Sequence, residues 1–269
     1  MADLASSIIS KLDTITAFLA LPDCITNKTD YLSLDSICSS DAEKIRDCLV
    51  NDPVLESPSA RFTYDAEFQQ IRVTRANAVI NITAGWLQLQ QKAWMKAKIL
   101  PEAYENDITA FCGVEFRNFA STTHSSTIKT PNYCMMPWTS IFPSLVVETG
   151  YTQPATDLER DKEIWKTATN GETKIVIITK FSPTPRNTVM GVIGFHRING
   201  VGGVNTCSKY TIFPPPVTKT EQSYHISLGE VYSGTCPEGI DADTELTLSI
   251  SELRDISRVV LVGCGLVPD

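Results

Sequence analysis

The chain has 269 residues, 42% of them hydrophobic, and a formal net charge of −8. That length suits one large domain or two small ones with an ordinary buried core. The acidic balance argues against a protein held to nucleic acid by nonspecific phosphate contacts, though a local basic groove is compatible with it. No apolar run approaches the roughly 18 residues that a membrane span needs.

The N-terminal stretch MADLASSIISKLDTITAFLALPDC lacks a basic leading region and carries Asp3, Lys11 and Asp13. It makes a poor signal peptide, so an intracellular protein is expected. The eight cysteines show no C-x-x-C pair, and there are only three histidines. Buried free thiols are therefore expected, rather than a zinc cluster or disulfides. The sequons at Asn27 and Asn81 matter only for a secreted chain.

Leu4, Ile8, Leu12, Ile15 and Leu19 recur at helical spacing and predict an amphipathic helix behind Asp3. Its polar face is not basic, which favours packing on the domain over a membrane-surface anchor. Ser39-Ser40-Asp41 predicts a cap for a second helix reaching about Val50. Arg61–Tyr64 and Gln69–Thr74 read as a hairpin. Val79, Ile82, Trp86, Leu89 and Ala93 form the stripe of a third helix. Its other side carries Lys92 and Lys96, with Lys98 following. This is the densest basic patch of the chain, either a solvated face or a phosphate-contacting helix.

Ile108–Phe116 and Tyr133–Met136 predict strands on either side of a polar loop. Pro143–Gly150 is a short β-branched run that reads as a strand buried on both faces, with Glu148 near its carboxyl end. Pro154, Thr156 and Glu159 predict a capping box opening a helix over 155–168, which Asn170-Gly171 stops. Lys174–Lys180 is a second buried strand. The spacing predicts a βαβ unit with parallel strands, whose carboxyl ends are where chemistry tends to sit.

Beyond Phe181 come short strands at Val189–Ile198, Tyr210–Phe213, Tyr224–Leu228 and Glu245–Ile250, then a last helical turn from Ser251. Gly200–Gly203 has no Lys-Ser/Thr after it and is not a P-loop. Phe213-Pro214-Pro215-Pro216 reads as a rigid connector more readily than as a ligand for a proline-recognising domain.

Helix, three strands, helix, strand, with an acid ending the third strand, resembles the core of PD-(D/E)XK nucleases. Lys129-Thr130-Pro131-Asn132, then PSLVVETGY, then LERDKEIW are similar to the motifs of a large group of fungal restriction-endonuclease-like proteins. Their pattern runs roughly K-x-P-D, P-S-L-V-V-E-V-G-x-S-E, then L-x-x-D-A-x-x-W-L. The likeness covers about residues 75 to 255. It implies an α/β fold: a restriction-endonuclease-like mixed sheet flanked by helices. A helical N-terminal extension (1–60) and a β-rich C-terminal extension flank the core, and 61–269 forms one compact unit.

In such a site an Asp and a Glu hold Mg²⁺ or Mn²⁺, and a Lys assists the nucleophile and steadies charge on the phosphorus. The resemblance places Glu148 as metal ligand and catalytic carboxylate, Asn132 where the metal-binding Asp belongs, and Gly150 where the Lys belongs. Lys162 is the substitute Lys, and Asp161 matches the Asp of the helix motif. Lys92, Lys96, Lys129 and Arg160 are candidate nucleic-acid contacts. Each has a plainer reading: Glu148 closes a strand, Asn132 follows Pro131 in a turn, and Lys162 pairs with Glu159 or Glu163. Losing one anionic ligand costs metal binding several kcal/mol, because charge neutralisation dominates. The expectation is a degenerate nuclease-like protein, with weak or no phosphodiesterase activity. It would bind nucleic acid or a protein partner through the former cleft and use no membrane. The alternative is an active Mg²⁺-dependent endonuclease cutting DNA or RNA.

Overall fold

The computed structural model describes residues 2–21, 29–51, 60–101, 104–186, 188–199, 206–217 and 222–269. In chain order its elements are α1 (Ala2–Leu19), β1 (Tyr31–Leu34), α2 (Ser39–Asn51), β2 (Ala60–Asp65), β3 (Gln70–Arg75), α3 (Ile82–Lys96), α4 (Tyr104–Asp107), β4 (Ile108–Phe111), β5 (Ile128–Lys129) and β6 (Tyr133–Pro137). There follow β7 (Leu145–Gly150), α5 (Ala155–Thr167), β8 (Ile175–Pro183), β9 (Thr188–Arg197), β10 (Thr206–Phe213), β11 (Ser223–Ser227), α6 (Leu228–Val231), β12 (Glu245–Ser249), α7 (Ile250–Gly263) and β13 (Val267–Pro268). The class is α/β with a mixed sheet. Among the described residues no helix is long and apolar enough to cross a membrane. Asn27 and the Gly200–Gly203 cluster lie outside the described residues.

The chain forms two compact units, each discontinuous: 1–77 with 113–130, and 78–112 with 131–269. The first joins β2 and β3, the hairpin expected over Arg61–Tyr64 and Gln69–Thr74, to the N-terminal helices. Its sheet runs β1-β3-β2-β5. Ile15 and Phe18 of α1, Ile37, Ala42 and Ile45 beside and on α2, and Tyr64, Ile71, Val73 and Ile128 of the sheet form its core. Arg72 is buried against Asp65 at 3.3 Å.

The second unit is built on the sheet β10-β9-β8-β7-β6-β4, with β13 added beside β9. β7 and β8 are parallel, Leu145 to Gly150 lying beside Ile175 to Lys180, and β7 is buried throughout, as its apolar run predicts. α5 packs on both. The helix starts at Ala155, after Pro154 in an extended conformation, and no side chain caps it. Thr156 therefore lies within the first turn, and the predicted capping box is not formed. Asn170 and Gly171 both take positive φ (52° and 75°), the left-handed pair that stops the chain from continuing as helix.

Two other elements differ from expectation. β4 ends at Phe111, since Gly113 turns the chain at φ 73°. The single turn expected at Ser251 is the fourteen-residue α7, capped by Ser249, whose side chain accepts from Glu252 N–H at 3.2 Å. Ile250, Leu253, Ser257 and Leu261 give it a buried stripe. On α3, the indoles of Trp86 and Trp94 donate to Ser249 and Thr247 carbonyls at 2.9 and 2.8 Å, fastening this helix to β12.

Candidate functional site

Side chains alternate along a strand, and two hydrogen bonds fix which way β7 faces. Tyr133, paired with Val147, donates from its hydroxyl to Gln91 Oε1 on α3 at 2.8 Å. Glu148, the next residue of β7, receives the indole N–H of Trp165 from α5 at 2.8 Å. Val147 thus looks toward α3, and Val146, Glu148 and Gly150 look toward α5.

Asn132 immediately precedes Tyr133, so extending the β6–β7 register by one step sets it across from Glu148. Both are 4% exposed. The structure therefore brings these two candidates together, with Asn132 in a buried bend just before β6. Its Oδ1 accepts the Thr149 N–H at 2.9 Å and its own N–H donates to Val147 O at 3.1 Å. Its Nδ2 is buried without a hydrogen-bond partner among the described residues, an arrangement that costs about 1–3 kcal/mol.

The buried stripe of α5 is Asp157, Leu158, Asp161, Ile164 and Trp165. Asp161 Oδ2 accepts from Gln153 Nε2 at 3.0 Å, and Asp157 Oδ1 from Arg160 Nη1 at 3.3 Å. Nearby on β6, burial, then the charges of Cys112 and Glu148, push the Cys134 thiol up to about 12.

Gly150 shows why no lysine stands two residues after Glu148. A Cβ there would lie 3.0 Å from Leu158 Cδ1 and 3.2 Å from Gln153 Cβ. The packing of α5 fills the space that side chain needs. Lys180 is the residue paired with Gly150 on β8, on the same face of the sheet, and its ammonium donates to the Tyr151 carbonyl. Sequence reasoning missed it, since only the strand register reveals this position.

Lys162 lies on the flank of α5. Burial pulls its pKa down, but the hydrogen bonds and charges of Glu159 and Glu163 outweigh this and raise it. It lines a groove of about 180 Å³ with Glu163, Lys166, His196, Arg197, Ile198, Thr206 and Cys207. An ammonium held by two carboxylates is poorly suited to act as a base. Arg160 is half-buried and paired with Asp157 at 3.3 Å. Lys92 and Lys96 are exposed on α3. Lys129, on β5 of the first unit, is 1% exposed, which corrects its reading as a nucleic-acid contact: a side chain so covered offers no charge to a phosphate.

These donors do not fit a divalent metal. Asn132 spends its amide oxygen on a sheet N–H, and Trp165 covers one oxygen of Glu148. Among the described residues no group of three or more His, Cys, Asp or Glu is arranged to hold a metal ion. The seven described cysteines are free thiols, and Cys24 lies outside the described residues. Against the expectation of burial, Cys38, Cys48, Cys112 and Cys207 are exposed. No model of a known protein family matches the chain, and no curated protein matches it either.

Proposed function

We propose that the chain is a degenerate, intracellular PD-(D/E)XK nuclease-like protein that works by binding and not by cutting. The observation that carries this reading is the use made of Asn132. Its oxygen accepts from Thr149 N–H, so the position where the nuclease pattern puts a metal-binding Asp serves the sheet. Leu158 against Gly150 and Trp165 on Glu148 support the same conclusion. The exposed free thiols accord with a reducing compartment.

A protein partner suits the cleft better than nucleic acid. Arg160, Lys162 and Lys166 are all paired with carboxylates of α5. Beside Lys180 in the β8–β9 register lies Val192, and beside Ser182 lies Met190. These apolar side chains are 45% and 46% exposed on the sheet face that α5 shares. An apolar strip with few free cations favours protein contact.

The test is Asn132→Asp, with thermal denaturation of both proteins with and without millimolar Mn²⁺, and a nuclease assay. The wild type should leave DNA and RNA intact and melt at the same temperature with or without metal. In the variant, Mn²⁺ should neutralise two adjacent carboxylates and raise the melting temperature, by about 2–4 °C for each kcal/mol of binding. An equal metal response in both proteins would remove Asn132 from any ancestral metal position. Metal-dependent cleavage by the wild type, lost in Glu148→Ala, would establish the active endonuclease, with Lys180 as its first candidate lysine. Tight binding of nucleic acid without cleavage would replace the protein partner by a nucleic acid.

A further inference from the structure

On the same sheet face, one strand beyond β8, β9 and β10 set a thiol beside an imidazole. Cys207 is the register partner of His196, and its Sγ lies 3.9 Å from His196 Nε2. Cys207 is exposed and His196 half-buried. Both line the groove of about 180 Å³ with Lys162, Lys166 and Arg197. Gly194 makes room for the ring: a Cβ there would stand 3.2 Å from His196 Nε2 and 3.7 Å from Lys209 Cγ.

We propose that Cys207 and His196 form a reactive thiol–imidazole pair, and that this pair is a site of reversible modification by small disulfides bearing carboxylates. The groups facing it decide both halves of that assignment. Burial of the imidazole comes first, then the ammonium of Lys162, and both push the His196 pKa down. Lys209 of β10 adds to this, while Glu159 and Glu163 of α5 oppose it and lose. His196 is therefore neutral at pH 7 and able to accept a proton. Lys162 is shared between Glu159 and Glu163, Lys166 is tied to Glu163 at 3.0 Å, and Arg197 is held by Glu230. The exposed Lys209 adds a further positive charge. Around the groove the four cations Lys162, Lys166, Arg197 and Lys209 outnumber the carboxylates Glu159, Glu163 and Glu230, so an incoming carboxylate finds a favourable field.

The exchange is balanced. His196 Nε2 takes the thiol proton, and the Cys207 sulfur attacks one sulfur of the disulfide. The old S–S bond breaks as the new one forms. The departing thiolate leaves with the proton held on the imidazolium. A reducing thiol reverses every step.

The experiment incubates the full chain with glutathione disulfide and follows each cysteine by peptide mass mapping. Cys207 should react at least about tenfold faster than exposed Cys48, which serves as internal reference. Its rate should rise with pH in a step below 6.5, the ordinary imidazole value from which His196 is shifted. His196→Ala should abolish both the advantage and the step while Cys48 keeps its rate. Gly194→Val should slow Cys207 by crowding the ring. Lys209→Ala should slow exchange with glutathione disulfide and leave exchange with neutral hydroxyethyl disulfide unchanged. Equal rates at Cys207 and Cys48 in the wild type, or a profile without the low step, would overturn the pair without recourse to any variant. Undiminished exchange at Cys207 in His196→Ala would overturn the role of the imidazole. Equal preference for neutral and anionic disulfides would overturn the carboxylate specificity.

Discussion

α5 turns two polar flanks in different directions. Toward β7 it presents Asp157, Asp161 and Trp165, which are buried, and the indole of Trp165 and the amide of Gln153 hold the carboxylates of Glu148 and Asp161. Toward β9 and β10 it presents Glu159, Lys162, Glu163 and Lys166, joined in a ladder of ion pairs and partly open to water. On the first flank the neutral donors of Trp165 and Gln153 are fixed on Glu148 and Asp161 in low dielectric, where each lost partner is expensive. The second has ion pairs partly open to water, where each pair is worth less. The acids beside β7 thus act as an internal fastening, and the polar surface open to water lies toward β9 and β10.

This contrast breaks most visibly at Trp165. Trp165→Ala removes a buried indole and a hydrogen bond to Glu148, and denaturant unfolding should show a loss of about 3–5 kcal/mol. Loss below 1 kcal/mol would mean that the inner flank is not a fastening. Gly150→Lys sets a lysine two residues after Glu148 but drives its Cβ toward Leu158 and Gln153. It should cost about 1–3 kcal/mol and confer no metal-dependent cleavage.

The ladder should answer to pH from both sides. Burial raises the Glu159 and Glu163 pKa values, but hydrogen bonds and charge from Lys162, with Lys166 at Glu163, outweigh it and lower them. Their stabilisation is therefore present above the unfolded carboxylate range, near about 4.3, and is lost as pH falls through the folded values. Lys162 is raised, so its share is present below about 10.4 and is lost as pH rises through the folded value. Melting temperature against pH should sag gently at both ends, and less so in 1 M salt. The smallest effect belongs to Lys166→Ala, about 0–1 kcal/mol, because the pair it breaks is partly open to solvent.

The strands β7 and β8 were legible in the sequence because both are buried on two faces, which leaves an unbroken β-branched run. Their parallel pairing followed from the length of the link between them. The length of α7 was not legible because its buried positions, Ile250, Leu253, Arg254, Ser257 and Leu261, include an arginine and a serine that interrupt the apolar stripe. In the site, Asn132 and Glu148 were recognisable as a couple from motif order alone. Lys180 and the Cys207–His196 pair were not, because strand register sets them and no local pattern encodes it. The pairing of Lys162 with Glu159 or Glu163 was legible from helical spacing, and the structure adds that both carboxylates reach its ammonium.

The chain passes between its two units three times, and this carries a consequence for synthesis. β2 pairs with β3 on one side and with β5 on the other, and β5 belongs to the returning segment 113–130. At ribosomal speeds of about 5–20 residues per second, the last strand of the N-terminal sheet emerges on the order of seconds after the first three. Throughout that interval one edge of β2 has no strand beside it, and an unpaired edge is where newly made chains stick to one another. Nascent chains arrested at residue 112 should therefore be cut at β2 by added protease, and chains arrested well past residue 130 should resist. The order of translation thus makes the smaller unit wait for part of the larger one.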